Sequence, residues 1–261
     1  MTIMERPLNP RQAAIVKRTE QAGHVTIDEL VTAFEVTPQT IRRDLTLLEE
    51  AGLIVRFHGG ANPVNSTENL SYQDRQILNH QAKERIAREI ATHIPDHASL
   101  FINIGTTTET IAQALMQHKG LQIVTNNLHV ASIMSVKEDF RVIIASGEVR
   151  AKDGGIVGEA TSDFIRQFKL DYGIIGISAI DEDGTLLDFD YREVRVAQTI
   201  IEQSRHVFLA ADHSKFGRRA MVRLGSIRQA DAFFTDEAPV ERFAELLAEE
   251  GVRLFVCGGE S

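Results

Sequence analysis

The chain has 261 residues, of which 43% are hydrophobic, and a formal net charge of −9. That length and apolar content suit two folded units, one small and one larger, and exclude a disordered chain. A single cysteine, Cys257, excludes a disulfide framework or cysteine cluster. No apolar run reaches the ~18 residues of a membrane span, and the polar N-terminus with Pro7 and Pro10 does not read as a signal peptide. A cytoplasmic protein without membrane contact is expected.

In chain order, Asn9-Pro10 is a cap followed by a first-turn proline, opening a partly apolar helix through Ala13, Ile15, Val16 and Thr19 that stops near Gly23. Thr26-Ile-Asp-Glu29 is a capping box, with Leu30, Val31 and Phe34 on the inner face of the helix it starts. After the turn Glu35-Val36-Thr37, Thr37 caps a third helix with Pro38 in its first turn. Ile41, Leu45 and Leu48 form its buried stripe, so Gln39, Arg42, Arg43 and Thr46 point outward. Gly52 is placed to end the helix in a left-handed turn; residues 53–58 read as a strand and Gly59-Gly60 as its turn. Three helices and a hairpin in ~60 residues match the winged helix-turn-helix plan, whose second motif helix enters the major groove of DNA. Thr37, Gln39, Thr40, Arg42, Arg43, Thr46, Arg56 and His58 are the candidate DNA-contacting residues.

A protein-interaction winged helix is the competing reading, and charge favours it: residues 1–60 carry seven Lys and Arg against eight Asp and Glu. Distribution favours DNA. Glu49 and Glu50 lie roughly 15 Å along the axis from Gln39, at about 1.5 Å per residue, away from the entering end.

The expected organisation is a winged helix over 1–61, a linker rich in Asn, Ser, Thr and Pro over 62–70, and an α/β domain over 71–261. Residues 71–94 read as one amphipathic connecting helix with Ile86, Ala87, Ile90 and Ile94 on one face. Apolar runs at 100–104, 121–125, 141–145, 172–177, 207–211, 232–235 and 252–256 then alternate with helical patterns. Such runs between helices indicate a largely parallel sheet covered on both faces.

Ligands of such sheets bind beyond the C-terminal strand ends, and those positions are polar here. Gly105, Thr106, Thr107 and Thr108 open a helix and offer amides and hydroxyls to an anion, although the spacing is not that of a Walker loop. Asn126 and Asn127 offer amide groups. Arg150 with Asp153, Gly154 and Gly155 offers a cation on a flexible loop, and Asp212 with Lys215 follows the 207–211 run. Amides and a carboxylate suit polyol hydroxyls, while Lys215, Arg150 and the helix start suit a phosphate. Asn126 and Asn127 read equally well as turn residues, and Lys215 as a surface charge.

Catalytic and metal readings are weaker. Asp212-His213-Ser214 has the composition of a triad, but neighbours on an extended segment point apart. Residues 176–180 lack the second glycine of a nucleophile elbow. The nine histidines are scattered along the chain and give no metal site, and no cofactor fingerprint is present.

Residues 36–45, with Leu47, Leu48, Gly52, Arg56 and 58–61, resemble the N-terminal signature of the DeoR-type bacterial sugar-metabolism repressors. Residues 101–107, 124–127, 153–155, 158–160, 190–191, 193–195 and 212–217 extend the resemblance over nearly the whole chain. It implies a non-enzymatic repressor of a carbohydrate or glycerol regulon, with a sensor domain of the ribose-phosphate isomerase and acyl-CoA transferase type. It also implies double-stranded operator DNA and a phosphorylated polyol or sugar, glycerol 3-phosphate foremost, as partners, and a homodimer or homotetramer. Asp190 and Glu193 join the effector-binding candidates on this ground, and the isomerase-type sheet also frames the rival function, a sugar-phosphate isomerase-like enzyme with a protein-interaction winged helix, in which Asp190, Glu193, Asp212 and Lys215 would move a proton beside a carbonyl. One departure is Asn103, which replaces the family's usual Asp in the run before Gly105. An amide there cannot act as a general base.

Overall fold

The computed structural model describes residues 8–22, 25–57, 59–63 and 72–258. Two compact units divide between Leu78 and Asn79.

In the first unit, helices Pro10–Ala22, Ile27–Phe34 and Pro38–Glu50 pack on a three-stranded antiparallel sheet. Gly60–Pro63 lies between Val25–Thr26 and Ile54–Phe57 in that sheet, and the two-residue edge strand was not anticipated. Asn62 and Pro63, expected to begin the linker, instead pair with Val55 and Ile54; residues 64–70 lie outside the described residues. The capping box forms as expected: Glu29 N–H donates to Thr26 Oγ1 at 3.2 Å, and Thr26 N–H to Glu29 Oε2 at 2.8 Å. Gly52 at φ +66° lets the third helix close with Gly52 N–H on Glu49 O and Leu53 N–H on Leu48 O, the paired bonds of a Schellman turn. Ile41, Leu45 and Leu48 are fully buried with Ile15, Leu30 and Ile54, so the predicted stripe is the core-facing side.

The single helix expected over 71–94 is two, Tyr72–Ile77 and His80–Thr92. Asn79 sits at φ +53°, ψ +35°, a left-handed conformation that no α-helix can run through. Its apolar periodicity holds only in the second piece, where Ile86, Ala87 and Ile90 are buried.

The second unit is built on a seven-stranded parallel sheet. Its order is Arg253–Val256, Ala232–Thr235, Ser204–Ala210, Leu170–Gly176, Ser99–Ile102, Gln122–Thr125, Arg141–Ile144. All seven apolar runs are therefore its strands. Successive residues alternate between two cores: Phe101, Val124, Ile175, Leu209 and Phe233 pack with Val194, Ile200 and Phe243 on one face. Leu100, Ile123, Ile174, Phe208 and Phe234 pack with Ile86, Ile90 and Ile111 on the other. Helices thus cover both faces, which explains why the strands are continuously apolar rather than alternating. The order reverses between Ser99–Ile102 and Leu170–Gly176, a topological switch point. Two small antiparallel pieces escaped the sequence reading: the hairpin Glu148–Arg150/Gly155–Val157, and the sheet of Ala179–Ile180, Thr185–Asp188 and Val222–Ser226.

Candidate functional site

The third helix of the first unit presents a cationic face. Gln39, Arg42 and Arg43 are exposed, and both arginines lack an ion pair among the described residues. Thr37 and Thr40 are tied to each other, Oγ1 to Oγ1 at 2.9 Å, with Thr40 N–H on Thr37 Oγ1 at 3.3 Å. These two therefore form the cap itself. Thr46 Oγ1 donates to Arg42 O and accepts from Arg56 Nη1 at 2.7 Å, while Arg56 Nη1 lies 3.7 Å from Glu49. Arg56 is thus partly spent in bracing the strand against the helix. His58 lies outside the described residues. Asp44, unnoticed in the sequence, is buried and accepts from Arg11 Nε at 2.5 Å and Gln12 Nε2 at 3.0 Å. One acidic charge of the helix is therefore taken up internally, which leaves the outer face more basic than the net count of the segment.

At the C-terminal edge of the large sheet, the residues fall into three connected groups. In the first, Gly105 (φ +145°) caps the helix Thr106–Ala114, whose first turn is buried. Thr108 Oγ1 donates to the carbonyls of Asn103 and Gly105, both at 2.7 Å, so its hydroxyl serves the turn. Asn103 is buried, and its Oδ1 has no hydrogen-bond partner.

The second group joins the hairpin to the strand ends. Asn126 pairs with Ile156 through Nδ2 and through its backbone carbonyl, and leaves Oδ1 buried and unpartnered. Asn127 caps the helix Leu128–Met134, accepting from His129 and Val130 N–H, and donates to Glu109 Oε1 at 3.1 Å. Its amide is consumed, in keeping with the turn reading. Arg150 corrects the expectation of a cation on a flexible loop. It is buried, makes paired bonds of 2.8 Å to Asp153, and reaches Asp190 at 3.0 Å and Glu193 at 2.7 Å. Burial works against its charge, but Glu193 and Asp153 more than compensate and raise its pKa. Asp190 also caps the helix Tyr191–Gln203; burial opposes its ionisation, and bonds from Arg192 and Arg150 outweigh that and lower its pKa. Gly154 N–H donates to Arg150 O, and Gly155 packs so closely on Ile104 that a Cβ would lie 2.7 Å from Cδ1. Arg150 therefore locks the hairpin to the helix, with its charge held by three carboxylates.

The third group follows the strand Ser204–Ala210. Asp212 is buried and accepts from Asn79 Nδ2 at 2.8 Å and from Ser214 N–H at 3.0 Å, with Lys215 Nζ at 3.8 Å. Burial opposes its charge, but Lys215, these hydrogen bonds and Lys83 depress its pKa well below the usual carboxylate range. Lys215 is itself buried, which corrects the surface reading. Lys83, on the helix His80–Thr92, was missed although its signal is present. It is a lysine three positions before Ile86 on the buried stripe, and it is only 3% exposed. Asn79 was missed because it fell within the supposed continuous helix.

Residues His213–Lys215 form a 3-10 turn rather than an extended segment. The triad reading fails for a different reason from that expected: Ser214 Oγ bonds Asp212, whereas His213 Nδ1 turns to Asp236 Oδ2 at 2.8 Å. His213, Asp236 and Glu237 bring donor atoms within 4.8 Å of one another. The hydrogen bond that His213 donates to Asp236 raises the His213 pKa to about 9, and Arg85 stands 3.7 Å from the same carboxylate. This is the chemistry of an ion-pair network. Among the described residues no helix is long and apolar enough to cross a membrane.

Comparison with known proteins agrees with this geometry. Residues 11–67 match the DeoR-like helix-turn-helix domain and residues 78–237 the DeoR C terminal sensor domain. The chain is 54% identical to the glycerol-3-phosphate regulon repressor of Escherichia coli (strain K12), over 95% of this chain and 98% of that protein. It is 51% identical to the protein of the same name from Haemophilus influenzae, over 96% and 97%. A ribose 5-phosphate isomerase A structure from Neisseria gonorrhoeae aligns at 16% identity and a TM-score of 0.38, over 52% of this chain and 53% of that one. On these matches, and with both domains in place, the chain belongs to the DeoR family and is a helix-turn-helix transcriptional repressor with a C-terminal sensor domain.

Proposed function

We propose that this repressor controls a glycerol-catabolic regulon and leaves its operator when glycerol 3-phosphate occupies the strand-end rim of the sensor unit. The observation that carries the sensor half is the convergence of two buried lysines, Lys83 and Lys215, on the buried carboxylate of Asp212 at the end of a central strand. Buried ammonium groups suit a phosphate dianion, and the Thr106 helix start adds oriented amides. Asp212 and the unpartnered Oδ1 atoms of Asn103 and Asn126 suit the hydroxyls of a short polyol. The same groups do not favour an isomerase: Arg150 ties up Asp190 and Glu193 in ion pairs, and the lysines lower the Asp212 pKa so far that it is a weak base. The protein therefore senses its ligand without turning it over.

On the DNA side, Gln39, Arg42 and Arg43 face the major groove, the Thr37–Thr40 cap approaches the backbone, and a two-fold oligomer reads a pseudo-palindromic operator. The test is an operator mobility shift against a panel of sugar and glycerol phosphates. Glycerol 3-phosphate is expected to release the operator fragment at lower concentration than pentose or hexose phosphates. Lys215→Gln and Thr106→Val should bind operator normally and ignore glycerol 3-phosphate. Normal induction in both variants removes this site, and turnover of any panel member restores the enzyme reading.

A further inference from the structure

A second cationic feature lies outside the strand-end lysines. A cleft of about 200 Å³ opens between the helices Glu159–Ile165 and Tyr191–Gln203, and its wall carries Arg166, Arg192, Arg195 and Ser162. Glu159 is the one acidic residue among those lining it, so the wall carries a charge excess of two. Arg195 is exposed and makes no ion pair among the described residues. Among the described residues the only ion pair of Arg166 is an exposed one with Asp163, of the kind that contributes little and is readily exchanged. Ser162 is 4% exposed, and its Oγ is buried with no hydrogen-bond partner, so a donor and acceptor are already desolvated beside the arginines. A buried hydroxyl in this state is unfavourable until something bonds to it.

We propose that this cleft binds a phosphate dianion, free or esterified, with Arg166 and Arg195 supplying charge and Ser162 Oγ a short hydrogen bond. The concave wall and the single hydroxyl fit one compact phosphoryl group. Arg192 connects the cleft to the sensor network. It donates to Asp190 Oδ2 at 3.4 Å, and the same oxygen accepts from Arg150 at 3.0 Å. An anion that draws Arg192 away competes with Asp190, so occupancy reaches the Arg150 cluster through one shared carboxylate oxygen.

The experiment uses the full chain carrying Lys215→Gln, which disables the proposed inducer site, with Thr106→Val as the alternative background if that protein does not fold. Inorganic phosphate and, separately, glycerol 3-phosphate are titrated calorimetrically at fixed ionic strength, with chloride as the control anion. Saturable phosphate binding is expected, weakened at least about tenfold by Arg166→Ala with Arg195→Ala and several-fold by Ser162→Ala, since each charge-assisted bond contributes about a factor of ten or more. Tighter binding of the ester than of the free ion would place carbon contacts in the cleft as well. Binding that the double substitution leaves unchanged, no binding at all, or equal competition by chloride overturns the proposal. Operator release by glycerol 3-phosphate in the double variant with Lys215 intact is read separately, so failure here is distinguishable from failure of the proposed inducer site.

Discussion

At the residue scale, the two arginine groups have opposite characters. Arg42 and Arg43 are exposed with no ion pair among the described residues, whereas Arg150 is buried among three carboxylates. Replacing Arg42 and Arg43 by Ala should abolish operator retention, leave stability within about 0.5 kcal/mol, and preserve the rise in Tm expected on adding the proposed inducer, glycerol 3-phosphate. Unchanged operator affinity would refute their assignment. Arg150→Ala strands buried carboxylates and should destabilise the sensor unit by about 3 kcal/mol in urea unfolding. A loss well under 1 kcal/mol would show that the cluster is not structural. His213 gives a pH signature. Its folded pKa is about 9 and its unfolded value about 6.5. Its contribution to stability is therefore complete below about pH 6.5 and disappears as pH rises through about 9. His213→Gln should show a smaller fall in Tm between pH 7 and 9.5 than the parent; equal falls would remove the pair from the account.

At the element scale, local chemistry sets where helices begin and end. Thr26 and Glu29 start one helix, Thr37 and Pro38 the next, and Gly52 stops it. Gly52→Ala forces a side chain into a left-handed turn although nothing lies within 4 Å of its Cβ. The expected loss is about 1 kcal/mol, from strain alone, and thermal unfolding checks it. These signals were legible because each works over three or four residues. Asn79 was not, because an Asn within an apolar period gives no sign of its conformation until Asp212, 133 positions away, accepts its amide. The Arg150 hairpin was read as a loop for the same reason: its three-residue strands are short, and its pairing and charges are satisfied by Asn127, Asp190 and Glu193 from elsewhere.

At the scale of the whole molecule, a chain of net charge −9 must hold DNA through a local patch. Operator affinity should then fall log-linearly with salt, with a slope of about −0.9 per phosphate contact. A flat response would favour a protein-interaction winged helix. Release by inducer requires about 5.5 kcal/mol of differential binding to move a population from about 99:1 to 1:99, which the subunits of the proposed oligomer would supply together. Linkage makes the coupling reciprocal, so operator should weaken glycerol 3-phosphate binding by the same factor.

Periodicity, caps and apolar runs in the sequence alone determined the winged helix and all seven strands of the parallel sheet, because burial imposes a regular spacing on neighbours along the chain. They also located the polar rim, since parallel strands all end on one edge. Only the tertiary structure decided which polar residues stay available. Asn127, Thr108 and Arg150 are consumed by partners, and Lys83 is brought in beside Asp212. Hydrogen bonds and ion pairs are made between groups remote in the chain, and residue type by itself does not reveal whether a donor is already taken.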